Sequence, residues 1–176
     1  MNTRNRIVLR NIRKSYYKKD HTTKNIVFDS GDIFEIPLSG IVSIIGWSGS
    51  GKSTLLNIIT LLDTPDIYEG ETLKDIPTIT YEINDIKLEA SFHKKPKLNR
   101  IVQNDDGTET KLDYDINEFR KIIMTIVFQS HHLHPNLNIK DNINTPFLCT
   151  EQNLSEQALA ESSRFFDIEP LLEKTA

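Results

Sequence analysis

A chain of 176 residues has the length of one domain and can bury a sizeable core without disulfide or metal staples. Its 38% hydrophobic and 26% charged content excludes a disordered tail, and 25 acidic against 21 basic residues, net −4, argue against nucleic acid as a partner. Cys149 is the single cysteine, which rules out an intrachain disulfide framework or cysteine zinc site and fits a reducing cytoplasm; no apolar run nears the roughly 18 residues that span a bilayer, so any membrane role is indirect.

In chain order, Ile7 to Ile12 reads as a first strand. Ile26 to Phe28 and Ile33 to Ile36 read as a hairpin turning through Asp29-Ser-Gly-Asp32. Ile41-Val-Ser-Ile-Ile45 is almost wholly apolar, as expected of a central parallel strand covered on both faces. Ser53 to Leu62 has helical apolar spacing and is stopped at Asp63-Thr-Pro65. Alternation over 78–83 and 86–92, then Leu98 to Val102, the turn Asn104-Asp-Asp-Gly107 and Lys111-Leu112 predict further β-hairpins. Asp115-Ile-Asn-Glu118 has the arrangement of a capping box before Phe119, and Ser155 to Phe166 reads as an amphipathic helix.

Between the expected strand and helix lies Gly46-Trp-Ser-Gly-Ser-Gly-Lys-Ser53, a G-x-x-x-x-G-K-[ST] loop. Gly46 and Gly51 allow backbone conformations that let successive N–H groups converge on phosphate oxygens. Lys52 supplies a mobile positive charge for the β- and γ-phosphates, the Ser53 hydroxyl is placed to ligate Mg²⁺, and the helix N-terminus adds partial positive charge. Strand, loop and helix together point to a nucleoside triphosphate, MgATP foremost.

The ordered motifs resemble the N-terminal part of an ABC-transporter ATPase domain, an α/β P-loop NTPase with an antiparallel β-subdomain. Lys14-Ser-Tyr16, on the first strand, resembles the family's adenine-stacking aromatic loop, with Tyr17 an alternative because one slip in register exchanges the faces. Gly46 to Thr54, GWSGSGKST, resembles its phosphate loop, so Gly46, Ser48, Gly49, Ser50, Gly51, Lys52, Ser53 and Thr54 become nucleotide-binding candidates. Ile126-Val-Phe-Gln129 resembles the Q-loop, which gives Gln129 a role beside Mg²⁺ and the attacking water and makes it, with Lys52, a catalytic candidate. The segment His131 to Ile143 resembles the one that meets the transporter's coupling helix. Its doubled histidine is most like the lipoprotein-release and macrolide-export branch, and a loop facing a partner outweighs a metal site at His131, His132 and His134 because no carboxylate stands at matching helical spacing. The resemblance implies a cytoplasmic subunit, peripheral to the membrane through a permease partner.

Two departures qualify the match. The stretch from Lys52 to Gln129 is longer than is usual for the family, an apparent insertion over about 74–115 that extends the antiparallel layer; its basic run His93 to Lys97 with Arg100 reads as a solvated loop. The chain also ends at Ala176, ahead of the segment in which the family carries its LSGGQ signature, the Mg²⁺-associated Asp, the water-polarising Glu and the switch His. Asn153-Leu-Ser-Glu-Gln157 lacks the paired glycines and is no substitute. The expectation is therefore one partial domain over 1–176 with an incomplete core and a partial helical subdomain over about 130–176. Such a chain binds ATP with little or no hydrolysis alone, while the complete protein pairs two ATPase domains head to tail. The alternatives are a non-catalytic ATP-dependent interaction module and, less favoured, a P-loop kinase.

Overall fold

Ile7, Val8 and Leu9 are all buried because strand β1 (Arg6–Arg10) is paired along both edges. The computed structural model of the chain describes residues 5–17, 24–67, 76–93, 96–130, 133–148 and 154–175. Beyond β1 come β2 (Arg13–Tyr17), β3 (Lys24–Asp29) and β4 (Ile33–Pro37), then helix α1 (Lys52–Ile59). Next are β5 (Thr78–Ile83), β6 (Ile86–Phe92), β7 (Pro96–Gln103) and β8 (Glu109–Asp113). A short helix α2 (Ile116–Glu118) runs into a π-turn over Phe119–Ile123, followed by α3 (Ile139–Leu148) and α4 (Glu156–Phe165). The chain divides into two compact units, Met1–Thr125 and Ile126–Ala176.

In the first unit six strands form an antiparallel sheet in the order β4-β1-β5-β6-β7-β8, and β2 pairs with β3. Alternation sends Ile7, Leu9, Ile79, Tyr81, Leu88, Ala90 and Leu98 into one core with Leu55, Ile58 and Ile59 of α1 and with Phe119. The opposite face carries ion pairs between strands: Arg6 with Glu35 and Glu82, Lys87 with Glu109, and Lys111 with Glu89. The alternating segments over 78–113 thus fold as expected and extend the antiparallel layer through β5 on β1. Asn104 and Gly107 close the β7–β8 turn, with the Asn104 N–H donating to Thr108 O at 2.9 Å. Lys97 of the basic run pairs with Asp113, while Lys94 and Lys95 lie outside the described residues.

Several expectations are corrected. β3 and β4 do not pair with each other; they are successive halves of one arm that runs against β1 and β2. Asn11 takes φ 54° and Gly31 φ 61°, so both arms bend at the same level, where Ser30 N–H donates to Ile12 O at 2.8 Å. The Asp29–Asp32 segment is the corner of a continuous pair rather than a hairpin turn, and Tyr16 consequently stands on the second strand. Helix α1 starts at Lys52 and ends at Ile59, earlier than the spacing suggested, because Leu61 enters the left-handed region at φ 58° and its N–H turns back to Ile58 O.

The largest difference concerns the apolar run read as a central strand. Residues 41–45 pair with no strand among the described residues, and Ile41 and Ile45 are 98% and 92% exposed. The run Ile126 to Phe128 is likewise irregular, with Val127 93% exposed. A fully apolar strand needs paired edges and covered faces, and the described residues supply neither. Around the phosphate loop the order is open segment, loop, helix.

In the second unit Asn138 Oδ1 accepts from Asp141 N–H at the start of α3. Asn142 ties α3 to the preceding loop, accepting from His134 N–H at 2.7 Å and donating to His134 O, Leu137 O and Asn138 O. Ile139 and Lys140 N–H donate to Lys174 O and Leu172 O, joining α3 to the C-terminal segment. Helix α4 is N-capped by Ser155, whose Oγ accepts from Ala158 N–H at 3.1 Å.

Candidate phosphate site

Helix α1 places its N-terminus at the loop because its other end is fixed. The Tyr81 hydroxyl, rising from β5 within the core, donates to Ile59 O at 2.7 Å. The Arg120 guanidinium donates to Thr60 O at 3.3 Å and to Leu61 O, setting a cation on carbonyls at the helix C-terminus. Tyr81 packs its ring on Phe119 at 4.8 Å, and burial pushes its hydroxyl far above the usual tyrosine range, so it remains a donor. Sheet and π-turn together hold the helix that carries the loop.

At the N-terminus, no side chain caps α1 and no acidic residue occupies its first turn. The N–H groups of that turn are therefore left for an external acceptor at the positive end of the helix. Gly49, Ser50, Gly51, Lys52, Ser53, Thr54 and Val27 line a pocket of about 240 Å³. Lys52 Nζ curls back to donate to Gly46 O at 2.9 Å and Trp47 O at 2.8 Å, and Ser50 N–H donates to Trp47 O at 3.1 Å. The loop thus wraps around its own ammonium group.

One glycine is required by this geometry, and a second makes a contact that a rotatable hydroxyl can relieve. A Cβ on Gly46 would lie 2.5 Å from Ser50 Oγ. At Gly51, φ is +86° and a Cβ would lie 2.1 Å from Val27 O. Val27 is an extra residue in β3, since Lys14 is opposite Phe28 while Ser15 is opposite Ile26. This bulge brings a backbone carbonyl against the loop, and only glycine admits it.

Tyr16 lies beside this helix. Its hydroxyl donates to Asp63 Oδ2 at 2.9 Å, and the residue is 45% exposed. Burial and the Asp63 hydrogen bond raise its hydroxyl pKa, keeping it protonated. Burial pushes the Asp63 carboxyl up, but hydrogen bonds from Lys14, Thr64 N–H and Tyr16 outweigh it and hold the group below its ordinary value. Tyr17, the alternative, projects from the opposite face of β2 and is more exposed.

The structure therefore brings together Gly46, Ser48, Gly49, Ser50, Gly51, Lys52, Ser53 and Thr54 as one loop and helix start, with Tyr16 alongside. Gln129 lies at a bend in the second unit. His131 and His132 lie outside the described residues, and no group of three or more His, Cys, Asp or Glu among the described residues could hold a metal ion. Sequence reasoning missed Asp63, read only as a helix stop, together with Val27, Tyr81 and Arg120. Asp63 and Lys14 are 49 positions apart, so no local pattern could join them.

Family models match the chain over residues 6–174 with an AAA domain. The chain belongs to the AAA-domain family. Its curated relatives include the lipoprotein-releasing system ATP-binding protein LolD of Myxococcus xanthus, 28% identical over 82% of this chain and 50% of the relative. LolD of Buchnera aphidicola is 25% identical over 97% of this chain and 61% of the relative. The pyoverdine export ATP-binding/permease protein PvdT of Pseudomonas fluorescens is 29% identical over 80% of this chain and 16% of the relative. These similarities bear out the resemblance to ABC-transporter ATP-binding domains of the lipoprotein-release type. The chain spans about half the length of the curated relatives it matches. No solved structure matches it significantly. No helix among the described residues is long and apolar enough to cross a membrane.

Proposed function

We propose that the chain binds MgATP on the loop Gly46 to Thr54 as part of an ABC-transporter ATP-binding subunit that couples nucleotide hydrolysis to transport through a membrane permease. The observation that carries this reading is the uncapped N-terminus of α1, opening on a pocket lined by Lys52, Ser53 and Thr54. A phosphate chain supplies the acceptors that these N–H groups lack, and it offers the Lys52 ammonium a stronger partner than two neutral carbonyls.

In this reading Lys52 leaves Gly46 O and Trp47 O to neutralise the β- and γ-phosphates, while Ser48, Gly49, Ser50 and Gly51 wrap them. The Ser53 hydroxyl is the candidate to hold Mg²⁺, which when bound neutralises phosphate charge. Tyr16 takes the adenine ring. The permease and a second ATPase domain are partners of the complete protein, which acts at the cytoplasmic face of the membrane. Relatives named as an ABC transporter ATP-binding protein and as an export ATP-binding/permease protein support this reading.

Trp47, the chain's one tryptophan, lies within the loop and provides the readout. MgATP titrated against its fluorescence should give saturable binding that Lys52→Ala weakens at least tenfold. A Lys52→Ala affinity within threefold of the parent means that the phosphates bind elsewhere.

A further inference from the structure

Tyr16 stands next to the last residue of β2, and a half-exposed ring would ordinarily move among rotamers. Instead, one carboxylate fixes both its tip and its flank. Asp63 Oδ2 accepts from the Tyr16 hydroxyl at 2.9 Å, while Asp63 Oδ1 accepts from Lys14 Nζ at 2.8 Å and Thr64 N–H at 2.7 Å. Lys14 Nζ also donates to Thr64 O at 2.6 Å and lies over the Tyr16 ring, 5.3 Å from its centroid. The segment carrying Asp63 is itself strapped to β2, since Asp66 N–H donates to Arg13 O at 2.7 Å and the Ser15 hydroxyl donates to Asp66 Oδ2.

This segment follows α1 directly. The ring is therefore referenced to the end of the helix whose N-terminus faces the phosphate pocket. We propose that Asp63, with Lys14, is a positioning residue for nucleotide recognition, holding the Tyr16 ring at a fixed place beside the phosphate loop so that the base is bound as well as the phosphates. The Lys14 ammonium covers part of the ring and leaves the remainder to a planar base. Neither Asp63 nor Lys14 is assigned to touch the nucleotide; they act through Tyr16.

The inference rests on the nucleotide reading above, and two ligands separate them. Mg-tripolyphosphate tests the phosphate site alone, whereas MgATP tests phosphates and base together. On the full chain, Asp63→Ala should weaken MgATP about 5- to 10-fold, a part of what base–aromatic stacking contributes, and leave Mg-tripolyphosphate within twofold. Tyr16→Phe, which keeps the ring and removes its tether, should weaken MgATP in the same sense, and the two substitutions combined should be no worse than Asp63→Ala alone. Asp63→Asn keeps an acceptor for the hydroxyl and should restore MgATP affinity to within threefold of the parent. Thermal melting accompanies each variant, and if Asp63→Ala does not fold, Tyr16→Phe and Asp63→Asn carry the test.

A parallel loss of both ligands in Asp63→Ala reduces Asp63 to a structural residue and overturns the proposal. So does unchanged MgATP binding in Asp63→Ala or Tyr16→Phe, or additive losses in the double variant. Lys52→Ala should weaken both ligands. If it weakens neither while Asp63→Ala still separates them, the phosphate assignment fails and the positioning role stands. If the parent chain binds neither ligand, both fail.

Discussion

Replacing Gly51 by alanine tests the most demanding contact in the phosphate site. At φ +86° an alanine costs about 1–2 kcal/mol from backbone conformation alone. Its Cβ would also stand 2.1 Å from Val27 O, so the carbonyl must withdraw by about 1 Å to reach even a tight contact. Val27 sits at a bulge between the pairs Lys14 with Phe28 and Ser15 with Ile26, and that fixed backbone resists the shift. Forced overpacking of this kind adds about 1–3 kcal/mol. The control is Gly49→Ala, at φ +78° with nothing within 4 Å of the new Cβ, which bears the conformational cost alone. At about 4 °C per kcal/mol, Gly51→Ala should lower the melting midpoint by about 8–20 °C and Gly49→Ala by about 4–8 °C. Calorimetry of the two variants measures the gap, and Trp47 fluorescence should show a larger loss of MgATP affinity for Gly51→Ala. Equal midpoints for the two variants would refute the close approach of β3 to the loop.

Tyr81→Phe keeps the ring on Phe119 but orphans the Ile59 carbonyl, so chemical denaturation should show a loss of about 1–2 kcal/mol. Arg120→Ala removes the cation from Thr60 O and Leu61 O, and should lower stability by about 1 kcal/mol and loosen MgATP binding through the helix. The acid limb follows from Asp63, whose folded pKa lies below its unfolded value near 4. Its contribution is complete at neutral pH and is lost as pH falls below about 4 through the folded value. Asp63→Asn should therefore flatten the dependence of the melting midpoint on pH below 5 and leave its slope above pH 6 unchanged.

Legibility in the sequence followed the range of the interactions. The β5 and β6 strands were readable because each alternates over its own length, and the β7–β8 hairpin because its turn Asn104-Asp-Asp-Gly107 is local chemistry. The phosphate loop was readable because its glycines, lysine and serine are consecutive. The pairing of β3 and β4 was not, because Asp29-Ser-Gly-Asp32 is good turn chemistry that here bends both strands of a longer pair. Ile41 to Ile45 shows a different limit: an apolar run specifies a buried strand only where neighbours exist to bury it, and pairing partners for this one do not occur among the described residues. The Tyr16 tether escaped because its acceptor lies 47 positions away.

The antiparallel sheet and the phosphate loop are mechanically one device even though no strand of the six-stranded sheet leads into the loop. An anion site made of N–H groups is only as good as the fixity of the helix that presents them, because donors that must reorganise around a phosphate lose part of what they contribute. Here the eight residues of α1 are too few to be stable alone. Leu55, Ile58 and Ile59 bury one face of the helix against the sheet, and Tyr81 and Arg120 hold its final carbonyls. Val27 sets the position of Gly51, and Asp63 ties the segment after the helix to β2. Lengthening the sheet through β6 to β8 enlarges the platform under Tyr81 without touching the loop, so changes at the β7–β8 turn should alter stability while leaving phosphate affinity intact. Gly107→Ala, at φ +81° with open space around its Cβ, is the separating case: a lower melting midpoint with unchanged MgATP binding is expected, and a matching loss of affinity would mean that the sheet couples to the loop beyond its hold on α1.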